Sequence, residues 1–236
     1  ISGTSDLSTL ADMRALTAPN VSVVIGEDGD EAGAALAVSS GASVTTLGAT
    51  LGAVSAASVH ENIGWVSKFN LVTGTELDVP AFGNGDLVKN LTTTLLSGLQ
   101  DKGYIFIKKH EGAPGTYHND SGTSVVATSD YAYIESQRTI DKAVRGVRAF
   151  MLPNVNGPIT VNSDGTLDEV TLALFKNDAD RALEQMLRAQ EISAFEVSLD
   201  PSQDVLSSSQ VEVTIKIVPR GVSRSIVVNI GFAVSI

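Results

Sequence analysis

Leu167 to Gln190 carries a helical apolar period, and the residues after it switch to a period of two. In the helical pattern, Phe175, Ala179, Ala182, Leu183, Met186 and Leu187 form one stripe. Behind it, Val211, Val213, Ile215 and Ile217 share one face of a predicted strand, and Phe195 to Leu199 is a candidate second strand. Ile226, Val228, Ile230, Phe232, Val234 and Ile236 share one face of a last strand that runs to the final residue. Successive strand side chains point to opposite faces, so each strand has one apolar face to bury. The pattern predicts an antiparallel or mixed sheet packed on the long helix. Residues 225–236 at ~3.3 Å per residue would span about 40 Å, against about 17–20 Å for a typical strand. A free apolar edge of that length is an aggregation hazard. It must therefore pair, either back on residues 211–218 or with the sheet of a neighbouring molecule. Residues 211–218 match only about two-thirds of it, which leaves the tip free to reach outward.

The first part of the chain has a different character. Residues 1–20 read as a polar lead-in with one helical turn. Val21 to Ile25 is apolar on nearly every residue, as in a strand covered on both faces, and Gly26-Glu27-Asp28-Gly29 ends it. Asp30 can cap a helix over Glu31 to Val38. Residues 43–60 predict a small-residue helix with Val44, Leu47, Leu51, Val54 and Ser58 on one face. Trp65-Val66, Phe69 to Val72 and Leu77 to Pro80 read as strands, Asp86 to Gln100 as a helix, and Tyr104 to Ile107 as a buried strand. This alternation predicts a βαβ-type region. Residues 108–123 read as one long exposed, mobile loop, and Asp130 to Ile134 as a strand. Arg138 to Phe150 predicts an amphipathic helix with Ile140, Val144, Val147 and Met151 as its apolar face, stopped by Pro153. The fold class is therefore α/β, turning α+β towards the C-terminus, with a lead-in over 1–20, a core over 21–155 and a helix-plus-strands region over 156–236.

Composition removes several functions. The 236 residues contain no cysteine, which excludes disulfides, thiolate metal sites and cysteine nucleophiles. A net charge of −11 opposes nucleic acid as the main partner, and no apolar run is long enough for membrane insertion. Gly26 to Gly33 sits where a dinucleotide turn would, but its glycine spacing departs from G-x-G-x-x-G and four acidic residues would face the phosphates. Asp120-Ser121-Gly122 matches the triplet of aspartic proteases in a single copy, where that chemistry needs two carboxylates; it reads as an Asx-type turn. His110 and His118 share a turn-rich loop and read as solvated, and His60-Glu61 has no accompanying nucleophile. No catalytic, cofactor-binding or metal-binding residue is assigned, and no cofactor is expected. Arg138, Lys142, Arg145 and Arg148 cluster on one helix face of an acidic chain. That face is a candidate for pairing with an acidic surface on another copy.

Two blocks carry a resemblance. Val59-His60-Glu61-Asn62-Ile63-Gly64-Trp65-Val66 follows the Gly/Ala helix, and Arg138-Thr139-Ile140-Asp141-Lys142-Ala143-Val144-Arg145 precedes the long helix and paired strands. With the order of elements from about residue 20 onward, they resemble the contractile phage tail sheath proteins. The resemblance implies a structural, non-enzymatic subunit of the phage tail that is assembled in the bacterial cytoplasm. Such a subunit stacks as rings around a tail tube, meets a baseplate and shortens on contraction. It also implies terminal arms that add strands to neighbouring sheets. The start at Ile1 is expected to reflect processing or a fragment, with the upstream arm short or absent. On this reading the assembly residues are Arg138, Lys142, Arg145, Arg148, Ile226, Val228, Ile230, Phe232, Val234 and Ile236. A flavodoxin-like or nucleotide-binding small-molecule enzyme is the alternative.

Overall fold

The computed structural model describes residues 6–40, 45–72 and 77–232. Its centre is a parallel strand pair. β1 (Val23–Val24) lies beside β4 (Tyr104–Ile105), with Val23 opposite Tyr104. β2 (Gly26–Asp28) continues β1 past Ile25 and pairs antiparallel with β3 (Pro80–Phe82). β5 (Ile107–His110) continues β4 past Phe106 and forms a hairpin with β6 (Ala113–His118). The segment 23–28 thus joins β3 on one side to β4 on the other. Of the apolar run at its start, Ile25 buries together with Phe82, Leu99, Tyr104, Phe106 and Leu7 from the lead-in, while Val23 and Val24 are half-buried and Val21 is exposed, so the run is not covered on both faces throughout. Gly26 lets the strands close up: a Cβ there would lie 3.1 Å from the Ile107 nitrogen and the Phe106 Cα.

The helices connecting these strands are α1 (Glu31–Ser40), α2 (Leu47–Ala56) and α3 (Thr93–Asp101). Asp86 to Gln100 is not one helix. A 3-10 turn at Val88–Asn90 gives way to an extended Leu91, and Thr92 then caps α3 by accepting from the Leu95 amide at 3.3 Å. The local capping oxygen wins over the leucine periodicity. α2 turns a different face inward from the one its large residues predicted. Thr50, Ala53 and Ala57 are buried, while Leu47 and Leu51 are exposed, and Val44 lies outside the described residues. Small side chains bring the helix against Ile63 and Phe69, and larger ones would hold it off. The segments 65–66 and 69–72 are turns and irregular backbone instead of strands, as is 130–133.

The largest correction concerns residues 108–123. They form β5, β6 and a buried corner: Thr116 and Ser121 are 0% exposed, and His118 is 1% exposed. Turn-forming residues gave the segment the look of a loop. Gly115, at φ +97°, instead sits inside β6, where the Asn70 side chain approaches to 2.1 Å of where a Cβ would be. Gly112 makes the hairpin turn at φ +80°.

α4 (Ile134–Met151) and α5 (Glu169–Arg188) pack together and onto β7 (Ile192–Ser198) and β8 (Thr214–Pro219). Asp168 caps α5 by accepting from the Thr171 amide at 2.8 Å. Phe175, Ala179, Ala182, Leu183 and Met186 are buried as the stripe required; Leu187 stands at its margin, 39% exposed. On α4, Val147 and Met151 reach this core beside buried Ala143, but Val144 points outward at 60% exposure. β7 and β8 are antiparallel, with Phe195 opposite Ile217 and Val197 opposite Ile215, and Val213, Ile215 and Ile217 turn inward. The short α6 (Val205–Ser208) lies between them.

The predicted last strand does not form among the described residues. Residues 220–232 are irregular and belong to no sheet, while β8 takes β7 as its partner. Ile226, Val228, Ile230 and Phe232 are largely exposed, Phe232 fully so. Val234 and Ile236 lie outside the described residues. Pairing back on residues 211–218 is therefore absent among the described residues.

Candidate assembly surface and the anchor of the C-terminal arm

The arm at 221–232 starts from a defined point. Arg224 donates from Nε to Asp120 Oδ2 at 3.1 Å and to Oδ1 at 3.3 Å, and from Nη2 to Glu135 Oε1 at 2.5 Å. Its Cζ lies 3.4 Å from the centroid of the Tyr133 ring. The Asp120 and Glu135 side chains are 9% and 6% exposed, against 29% for Arg224. Two further buried groups hold the carboxylates. Asn62 Nδ2 donates to Asp120 Oδ1 at 2.7 Å and to Glu135 Oε1 at 3.2 Å, and Ser121 Oγ donates to Glu135 Oε2.

Local structure explains why these residues meet. Ser121 O accepts from the Ile134 amide and the Thr123 amide donates to Ala132 O, which ties the chain after β6 to the N-terminus of α4. Glu135 falls in the first turn of α4, where a carboxylate is favoured by the helix dipole. Burial nonetheless pushes the Glu135 carboxyl upward, opposed by the Ser121 hydrogen bond and by the Arg224 charge. The Asp120 side chain accepts from the adjacent Ser121 amide at 2.8 Å, not from the amide two residues on as an Asx turn requires, and the triplet is buried with its acid partnered by a guanidinium. Glu135 shares the Arg224 guanidinium with Asp120, so a single positive charge faces two carboxylates in ion-pair geometry.

The basic face of α4 divides in two. Arg138 donates to Ala57 O at 3.0 Å and to Ser58 O at 3.3 Å, and Lys142 donates to Glu191 Oε1 at 2.5 Å. These two tie α4 to the end of α2 and to the start of β7. Arg145 and Arg148 are exposed and have no ion pair among the described residues.

The other singled-out residues are structural in this geometry. Gly26 to Asp28 is paired as β2 beside β3 with Glu27 buried, so the segment is a strand and not a phosphate-binding turn. His118 is buried, with Nε2 3.0 Å from Thr50 Oγ1, and desolvation lowers its pKa to about 4. His110 lies against the Tyr117 ring, with centroids 5.7 Å apart. Glu61 accepts from the Ser58 amide at 2.7 Å and from Lys68 Nζ at 2.6 Å. No helix of the described residues is long and apolar enough to cross a membrane.

Sequence reasoning missed Arg224 and its receptor. Nothing in the sequence sets Arg224 apart from Arg220, or Asp120 and Glu135 from the chain's other acids.

Two family models match the chain: "DUF2586, N-terminal domain" over residues 3–122 and "DUF2586, C-terminal domain" over residues 130–236. Among curated proteins, none matches the sequence. Among solved structures, the chain is similar to the sheath complex of an extracellular contractile injection system, PVC, in its contracted state. The identity is 11%, with a TM-score of 0.59, over 92% of this chain and 57% of that one. The anti-feeding prophage (AFP) baseplate aligns over 63% of this chain and 41% of that chain, with 16% identity and a TM-score of 0.48. The AFP helical sheath in its contracted state aligns over 62% and 41%, with 15% identity and a TM-score of 0.47. The chain therefore spans about half the length of the solved relatives it matches.

Proposed function

The chain belongs to the DUF2586 family, and from that premise we propose that it is a structural subunit of a contractile tail sheath, polymerising around a tail tube and shortening on contraction. The observation that carries this reading is the arm. A body with a sheath fold releases an apolar segment, Ile226 to Phe232, that has no partner in its own chain among the described residues. Alternating apolar side chains suit that segment to join the edge of a sheet on a neighbouring copy. β7 and β8 form a two-stranded sheet, so among the described residues each has an unpaired edge of that kind. Donor and acceptor are different surfaces, so the contact is head-to-tail and propagates into rings or a helix.

The role is mechanical and has no catalytic residue. The partners are other copies of the chain, a tail tube protein and a baseplate, and the setting is the tail of a phage or phage-like particle assembled in the bacterial cytoplasm. Arg145 and Arg148 provide a second contact, towards an acidic patch on the next copy. Negative-stain electron microscopy of the natural protein tests the proposal. Rods or stacked rings support it. Monodisperse monomers at every concentration and ionic strength, alone and with the tube protein, would overturn it.

A further inference from the structure

We propose that Asp120, Glu135, Ser121, Asn62 and Tyr133 form an arginine-receptor pocket that latches the root of the C-terminal arm, fixing where the arm leaves the body while the residues beyond stay free. The pocket is built by the body alone. Asn62 comes from the turn after α2, Asp120 and Ser121 from the corner after β6, and Tyr133 and Glu135 from the start of α4. Asn62 and Ser121 orient the two carboxylates, and Arg224 is what the arm contributes.

The chemistry selects a guanidinium. Two nearly buried carboxylates need a cation that reaches both at once, and a planar fork does so while lying flat on an aromatic ring. Nε serves Asp120, Nη2 serves Glu135, and the plane meets Tyr133. An ammonium is a point charge and cannot make all three contacts. Among the described residues, Arg224 is also the last that bonds to the body; no hydrogen bond joins 226–232 to it. The same ring serves the other end of the chain. Arg14 Cζ lies 5.7 Å from the Tyr133 centroid, with Nε bonded to Asp101 O and Nη1 to Val125 O. The roots of the N-terminal segment and the C-terminal arm therefore meet at Tyr133.

The latch stands on this chain's own contacts; its use in assembly rests on the sheath reading. The chain has no native cysteine, so spin labels at Ser225→Cys, at the arm's root, and Thr128→Cys report the root's position cleanly. Pulsed electron resonance on the monomer should give a narrow distance distribution with Arg224 present. It should give a broad one in R224Q, and in R224K as well. D120N/E135Q, which keeps a neutral pocket of the same shape, should also broaden it. Ethylguanidinium added to R224A should raise its melting temperature more than ethylammonium at equal concentration. Equal widths in the parent and R224Q overturn the latch, and a narrow distribution in R224K overturns its selectivity for arginine. A narrow parent distribution in a protein that never polymerises leaves the latch standing and removes the sheath reading.

Discussion

Arg224 Cζ lies 3.4 Å from the centroid of the Tyr133 ring, which joins the root of an otherwise free arm to the first turn of α4. Beneath it, burial holds the Glu135 carboxyl above its usual range, and Arg224 works against that shift. A carboxyl with a raised folded pKa binds more protons folded than unfolded, so its contribution to stability falls as pH rises past the unfolded value. Removing Arg224 should deepen that loss. R224Q is expected to lose about 1–3 kcal/mol near pH 7, as befits an uncompensated buried charge, and much less near pH 4. Urea unfolding of both proteins at the two pH values measures this; a deficit independent of pH would contradict it.

His118 predicts a second pH dependence. Its folded pKa of about 4 lies below the ordinary 6.5 because the ring is desolvated. The unfolded chain therefore binds the proton first, and stability is lost as pH falls from about 6.5 towards 4. The full loss is roughly 3 kcal/mol at one pKa unit per about 1.4 kcal/mol. H118Q, which can still meet Thr50 Oγ1, should flatten the stability profile across that window.

The exposed half of the α4 basic face should separate assembly from folding. R145E/R148E should change monomer stability by no more than about 0.5 kcal/mol, as for other surface substitutions, while weakening polymer formation. K142A should behave in the opposite way. It leaves Glu191, 8% exposed, without its cation, and is expected to lose about 1–3 kcal/mol without touching the proposed interface. Sedimentation alongside thermal melts separates the two effects.

Leu183 is 0% exposed where α5 meets α4 and β7. L183A should destabilise the protein by about 2–5 kcal/mol through the cavity it leaves, measured by denaturant unfolding. L187A, at the margin of the same stripe, should lose far less.

These contrasts show which parts of the molecule were legible in the sequence. The α5 stripe and the alternation through Val213, Ile215 and Ile217 could be read directly, because a single amphipathic face determines each. The parallel β1–β4 pair followed from two apolar runs with helices between them. Residues 108–123 misled because glycines that look like punctuation serve close packing: Gly115 sits against Asn70 inside a strand. α2 misled because its buried face is its small one. The arm misled in another way. Its period of two was clear, but residues 226–232 meet no partner strand among the described residues. The Arg224 pocket could not be read at all, since Asn62, Asp120, Glu135 and Arg224 are brought together only by the fold.

The most direct measurement is electron microscopy of the natural protein and of the same protein truncated after Val228, each checked by circular dichroism. The account predicts rods or rings for the first. For the second it predicts a folded monomer with an unchanged melt and no polymers, because Ile230 and Phe232 bury nothing in their own chain. Polymers that survive the truncation would contradict the arm as the assembly element, and a truncated protein that fails to fold would show that the arm belongs to the core.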